Sequence, residues 1–378
     1  MSVIELTTFT VRPDRTAAML AARPGMVAAF REGRRGFVSA KLVRLDPGTW
    51  LDFVEWTDDT AWDESKAKGG DDPRIAAFFA TIDALVSARR GARYDDEQDG
   101  PRRVRTIAYG PHPSQVGELY LPPGAGPFPV VVLLHGGYWS ALHDRRGMTG
   151  VADDLVARGY AVWNAEFRRL GDGGGWPGTF EDVAAALDAV AGLDPALDPA
   201  RVAVLGHSSG GQLAVWAAHR AALPGDAVGA SPGVVPVAAV SLAGVLDLAK
   251  ADRTRLGAGL PDPATAPDLP DVMPAAGIGE GVVNLLLGGH VDDVPERYAT
   301  TSPAALADTG VPVLAVHGAA DDVVPPSYSR SYAEKVASAE YLEVAGAHHF
   351  DVLDPAHENW ARVTGWLGKH LPAGVTRG

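Results

Sequence analysis

The chain has 378 residues, 46% of them apolar, with a formal net charge of −14 and no cysteine. That is enough chain for two domains and a sizeable core. The missing cysteines exclude disulfides, thiolate catalysis and thiolate-bound zinc, and the negative charge argues against nucleic acid as a partner. No run of about 18 apolar residues marks a membrane span. The start, Met1-Ser2-Val3-Ile4-Glu5, lacks a basic stretch followed by an apolar one, so we expect a soluble, cytoplasmic protein.

In chain order, Val3 to Val11 alternates and is β-branched, which predicts a strand. Pro13-Asp14 opens a helix to about Phe30. Phe37 to Leu45 and Trp50 to Trp56 read as strands joined by a turn at Pro47-Gly48. Ala61 to Lys68 reads as a short helix. Ile75, Phe78, Phe79, Ile82 and Leu85 at helical spacing predict a longer one from Ile75 to Arg89. This gives a small α+β, ferredoxin-like domain over residues 1–90, followed by a polar linker at 91–102. The segment resembles the antibiotic-biosynthesis-monooxygenase-like dimeric α+β barrels at Thr8-Phe9-Thr10-Val11-Arg12-Pro13, Gly36-Phe37-Val38-Ser39 and Phe53-Val54-Glu55-Trp56. The resemblance implies a homodimer. Enzymes of that family use Asn, His or Trp, or bind haem through His, and the first 100 residues hold no Asn and no His. We therefore expect a non-catalytic domain for dimerisation or for capping a pocket, with Trp50, Trp56 and Trp62 as core or interface aromatics.

From 103 to 372 the pattern becomes α/β. Val104 to Tyr109 and Gly117 to Leu121 read as an opening meander, and Pro129 to Leu134 as a fully apolar strand. Further strands are expected at Ala161 to Trp163, Val202 to Leu205, Val237 to Ala243 and Pro312 to Val316. Helices fall between them, at Gly147 to Arg158 and Thr179 to Ala191 among others. Buried strands alternating with helices predict a mostly parallel sheet covered on both faces, with the site at the carboxyl ends of the strands. The long Pro/Gly-rich stretch at about 249–297 reads as a lid.

The strand Val202 to Leu205 runs into Gly206-His207-Ser208-Ser209-Gly210-Gly211 and then a helix. A serine in a tight strand-to-helix turn flanked by glycines is a nucleophile elbow, with the helix N-terminus behind it. A second G-x-S-x-G copy, Gly229-Ala230-Ser231-Pro232-Gly233, fails because Pro232 has no N–H to offer an oxyanion. His135-Gly136-Gly137-Tyr138-Trp139 follows an apolar strand. Its glycines admit close backbone approach, so Gly137, Tyr138 and Ser209 are the expected oxyanion-hole donors. Trp139 and His207 are expected in the substrate pocket, and His135 in a structural role. The run His317-Gly318-Ala319-Ala320-Asp321-Asp322-Val323-Val324-Pro325 offers two carboxylates, and the spacing points to Asp321. Asp247 is a third candidate. His348-His349 offers two bases, and His349, before Phe350, is preferred. No HExxH-type spacing accompanies these histidines, so no metal is expected, and no cofactor. Ser208, Asp321, His349 is the Ser…Asp…His order of an α/β-hydrolase.

Residues from about 103 to 370 resemble α/β-hydrolases of the esterase/lipase class, above all the kynurenine formamidase and carboxylesterase branch. Gly173 to Asp182 adds to the likeness. The resemblance implies that Ser208 is the nucleophile, His349 the base and acid, and Asp321 its orienter. The expected substrate is a small-molecule carboxylic ester. The alternatives are an aryl formamide or other amide, and a lactone or natural-product ester.

Overall fold

The computed structural model describes residues 3–92, 103–258 and 280–373. The chain divides into two compact units, Met1–Gln98 and Asp99–Gly378. From residue 93 on, the expected linker lies outside the described residues.

The first unit contains β1 (Val3–Thr10), α1 (Thr16–Gly33), β2 (Phe37–Asp46), β3 (Thr49–Trp56), α2 (Asp59–Lys68), α3 (Pro73–Phe79) and β4 (Ala84–Ala92). The sheet is antiparallel in the order β2-β3-β1-β4. Alternation sends Val3, Phe9, Trp50, Val54 and Trp56 to one face, where Met19, Met26 and Phe30 of α1 and Phe78 of α3 complete the core. The Asp58 carboxylate caps α2 by accepting the Ala61 N–H at 2.8 Å.

One expectation fails here. The helix that was to run from Ile75 to Arg89 ends at Phe79, and a fourth strand takes its second half. Without that strand, β1 would present an open edge of N–H and C=O groups. Pairing from Thr10 with Ala84 to Val3 with Ala92 satisfies them. The Asp83 carboxylate makes the turn by accepting the Arg12 N–H at 2.5 Å. Ile75 and Phe78 are buried, whereas Phe79, Leu85 and Val86 are exposed, so only half of the helical spacing marks a core face.

The second unit runs β5 (Arg103–Ala108), β6 (Val116–Leu121), β7 (Phe128–Leu134), α4 (Thr149–Ala157), β8 (Ala161–Ala165), α5 (Gly178–Asp188), α6 (Val190–Leu193), β9 (Leu197–His207), α7 (Ser209–Ala218) and β10 (Ala238–Leu242). It continues with α8 (Leu248–Arg253), α9 (Val283–Leu287), α10 (Pro295–Thr301), β11 (Val313–Gly318), α11 (Ser327–Lys335), β12 (Ala339–Val344) and α12 (Trp360–His370). The eight strands lie in the order β12-β11-β10-β9-β7-β8-β6-β5. All neighbours are parallel except the β5-β6 and β6-β8 pairs. Successive residues of the central strands face opposite layers. Val130, Val132, Val202 and Val204 pack with Leu213 and Phe180 on one side. Val131, Leu133, Ala203 and Leu205 pack with Leu155, Trp360 and Leu367 on the other. Both faces are thus buried, which is why these strands are continuously apolar.

Within the stretch at 249–297, residues 259–279 lie outside the described residues. The described part carries most of α8, then α9 and the start of α10. Val282, Val283, Leu286 and Leu287 belong to the core beside α5, and the Leu286 carbonyl accepts the Trp176 N–H at 2.7 Å.

Candidate active site

The loops that follow β7, β9, β11 and β12 converge on a cavity of about 230 Å³ at the carboxyl edge of the sheet. Ser208 stands at the junction of β9 and α7 with φ 55° and ψ −121°, a conformation an L-residue adopts only under strain. Surrounding bonds hold it there. Its N–H donates to the Leu242 carbonyl at 2.8 Å, and its carbonyl accepts from Gly211 N at 2.9 Å. The turn closes only because two neighbours lack side chains. A Cβ on Gly206 would lie 2.0 Å from the Gly210 carbonyl oxygen, and one on Gly210 would lie 2.1 Å from that of Leu134. The exposed Ser231, in the second G-x-S-x-G copy, lies far along the chain in a surface loop and not in this cavity.

His349 lines the same cavity as Ser208. Its Nδ1 lies 2.7 Å from Asp321 Oδ2, so Nδ1 carries the proton and Nε2 carries the lone pair. Asp321 is buried and well supplied with donors. Its Oδ1 accepts from Val323 N and Val324 N, each at 2.9 Å, and His317 Nε2 lies 3.2 Å from Oδ2. Burial opposes the charge on Asp321. The hydrogen bonds from His317 and His349 and from the Val324 N–H outweigh it and hold the carboxyl far below its ordinary value. His317 is itself positioned, with Nδ1 at 2.7 Å from Ser329 Oγ and Nε2 at 2.8 Å from the Val324 carbonyl. Asp322 and His348 are exposed, and Asp247 accepts the Lys250 N–H at 3.0 Å as the cap of α8. Of the alternatives, the geometry brings together Asp321 and His349.

His207 forms part of the cavity wall. Its Nε2 donates to the His349 carbonyl at 2.9 Å. Burial, and then the charge of His349, push its pKa down to about 3. It therefore stays neutral beside His349 and holds the backbone of that residue.

Gly137 has φ 114°, and Tyr138 and Trp139 have φ 54° and 55°, so the loop after β7 makes an irregular left-handed turn. Among the described residues, the N–H groups of Gly137, Tyr138 and Ser209 have no hydrogen-bond acceptor. A Cβ on Gly136 would lie 2.9 Å from Ser208 Cβ, so this backbone abuts the serine. Tyr138 lines the cavity, its phenol pushed up to about 12 by burial and by the charge of Asp321. Trp139 does not line it, contrary to expectation. The turn swings its indole inward to 1% exposure, where Nε1 donates to Gln212 Oε1 at 3.0 Å. His135 is structural. It stacks on Phe167 at 4.5 Å and meets the Glu166 carboxylate at 2.8 Å.

Residues 118–336, well over half of the chain, match the BD-FAE family of α/β-hydrolase esterase domains. The chain belongs to the BD-FAE family. Residues 2–69 separately match the antibiotic biosynthesis monooxygenase family. Esterase LipC of Mycobacterium tuberculosis is 28% identical over an alignment of 274 residues that covers 67% of this chain. The chain spans 61% of the length of that relative. Among solved structures, a truncated carbohydrate esterase from gut microbiota superposes with a TM-score of 0.56 at 20% identity, covering 73% of this chain and 98% of the other. A butyrate-bound thermophilic esterase from Thermogutta terrifontis gives a TM-score of 0.53 at 20% identity, covering 73% and 96%. At these identities the likeness is one of fold.

Within the BD-FAE region, two supports went unread in the sequence. One is the His317–Ser329 pair beneath Asp321. The other is Glu166, which accepts the Arg145 N–H at 3.0 Å while holding His135. His143, also in the cavity lining, was missed as well. Its only sequence signal is its place in the loop opened by His135-Gly136-Gly137. Among the described residues, no cluster of three His, Asp or Glu is arranged to hold a metal ion, and no helix is long and apolar enough to cross a membrane.

Proposed function

We propose that this protein is a serine esterase that cleaves a small-molecule carboxylic ester through an acyl-enzyme on Ser208. The observation that carries the reading is the strained Ser208 sharing one cavity with a histidine whose Nδ1–H is bound to buried Asp321. His349 Nε2 takes the Ser208 proton as Oγ attacks the ester carbonyl carbon. The oxyanion then accepts from the free N–H groups of Gly137, Tyr138 and Ser209, each contributing about 3 kcal/mol in such sites. The alkoxide leaves with the proton from His349 Nε2. Water repeats the sequence on the acyl-enzyme and releases the acid.

The named relatives are esterases, which favours an ester over a formamide or other amide. The modest cavity favours a short acyl group. The test is a panel of p-nitrophenyl acetate, butyrate and octanoate beside N-formylkynurenine, with Ser208→Ala as the blank. The reading expects fast turnover of the short esters, little of the formamide, and a fall on the order of 10⁴-fold or more in the variant. Preference for the formamide would make the protein an amidase.

For the first unit the reading is a non-catalytic dimerisation domain. Ile4 and Leu6 of β1, Leu51 and Phe53 of β3 and Val43 of β2 lie on the sheet face opposite the core, and none of them joins that core. A second copy of the same face would cover them.

A further inference from the structure

His143 stands in the cavity without a task in the mechanism above. Its backbone is pinned. Its N–H donates to the Ser140 carbonyl at 3.3 Å, and its own carbonyl accepts from Arg169 Nη1 at 2.6 Å. Its ring is not pinned. Among the described residues neither imidazole nitrogen has a hydrogen-bond partner, and the side chain is exposed. The other polar side chains of the lining are engaged. His135 meets Glu166, Tyr138 donates to the Val323 carbonyl at 3.4 Å, Asp144 holds Arg146, and His207 donates to His349. Apart from Ser208 and the free nitrogen of His349, His143 is the polar group left for a ligand to meet. Met148, Val323 and Leu353 make much of the remaining wall apolar.

The ring also has a defined place. A Cβ on Gly137 would fall 2.4 Å from His143 Cβ and 2.5 and 2.6 Å from Cγ and Cδ2. The imidazole therefore leans on the Cα of Gly137, whose unpaired N–H the esterase reading above assigns to the oxyanion. A carbonyl oxygen held by that N–H lies about 3 Å from it. The ring then stands beside the ester group, within a few bonds of its carbonyl carbon. Burial, and then the charge of His135, lower the pKa of His143 below the ordinary 6.5, so at neutral pH the ring offers one donor and one acceptor. A hydroxyl group is its natural complement. His143 is exposed at the rim of the cavity, so a plain analogue that covers the ring displaces its water without replacing the bond, which makes the preference for a hydroxyl one of discrimination.

We propose that His143 is a specificity-determining residue that hydrogen-bonds a hydroxyl next to the scissile ester, either on the carbon α to the acyl carbonyl or on the second carbon of the alcohol. The inference rests on the esterase reading of Ser208. Two matched pairs test it on the full chain: methyl butyrate against methyl 2-hydroxybutyrate, and propyl acetate against 2-hydroxyethyl acetate. The readout is the ratio of kcat/KM within each pair, so any effect on fold or machinery common to both members cancels. In one pair, His143→Phe should lower the hydroxylated-to-plain ratio about tenfold, and His143→Gln, which keeps a donor and an acceptor, should restore most of it. The responding pair identifies the acyl or the alcohol side. Unchanged ratios in both pairs, with Ser208-dependent turnover intact, would overturn the role of His143 alone. Absence of Ser208-dependent turnover of all four esters would overturn the esterase reading and this inference with it.

Discussion

Asp321 concentrates the electrostatics of the site in one residue. Two backbone N–H groups occupy one carboxylate oxygen, and two histidines approach the other. The carboxylate therefore stays charged and in place, and it selects the His349 tautomer whose Nε2 can accept a proton. Asp321→Asn keeps the shape but can present an amide N–H to Nδ1, favouring the other tautomer. We expect kcat on p-nitrophenyl acetate to fall on the order of 10³- to 10⁴-fold with the folded structure retained. A fall of less than tenfold would mean that another group orients His349. Asp322→Asn, at an exposed position, should leave kcat within about twofold.

At the scale of elements, the site is a set of strand ends held in register, and the elbow is the tightest join. Gly210→Ala would drive a methyl group to 2.1 Å from the Leu134 carbonyl oxygen, a backbone atom with no freedom to retreat. We expect a loss of about 3 kcal/mol or more, seen as a thermal midpoint lowered by several degrees or as insoluble protein. Gly192→Ala, where a Cβ would meet nothing within 4 Å, serves as the control. The elbow, the loop after β7 and the order of Ser208, Asp321 and His349 were legible because each needs specific residue types next to an apolar strand. β4 was not legible, because Ile82 and Leu85 continue a helical stripe while the strand comes from pairing with β1, a partner some eighty residues away in sequence. The inward turn of Trp139 was hidden for a similar reason. Positive φ at two successive non-glycine residues follows from the surroundings of the loop and not from its own letters. β12 escaped notice because it is an edge strand of alternating exposure with no apolar run.

At the scale of the whole molecule, acid should unfold the protein in two stages. His207 and His219 are buried, and burial lowers both pKa values below 6.5. Below pH 6.5 the unfolded chain takes up protons that the fold refuses, so stability falls by up to about 1.4 kcal/mol per pH unit for each such group. His290, raised by its bond to Asp252, acts in the opposite sense, but its side chain is 41% exposed and largely screened. Asp321 acts in the same sense as His207 but at lower pH, its stabilisation being present above 3.8 and lost as the pH falls below that value. Urea midpoints should therefore be lower at pH 5 than at pH 7, and His207→Asn should narrow the difference. Equal midpoints would contradict the account of His207. For the assembly, light scattering at micromolar concentration should give the mass of two chains, and Phe53→Lys the mass of one. A wild-type monomer would remove the dimer.

Everything above rests on Ser208 as the nucleophile, and the most direct measurement is covalent labelling by a fluorophosphonate, read by intact mass and peptide mapping. One adduct per chain on the peptide that holds Ser208, absent from Ser208→Ala and slowed in Asp321→Asn, is the predicted result. An adduct on another serine, or esterase activity that survives in Ser208→Ala, would contradict it.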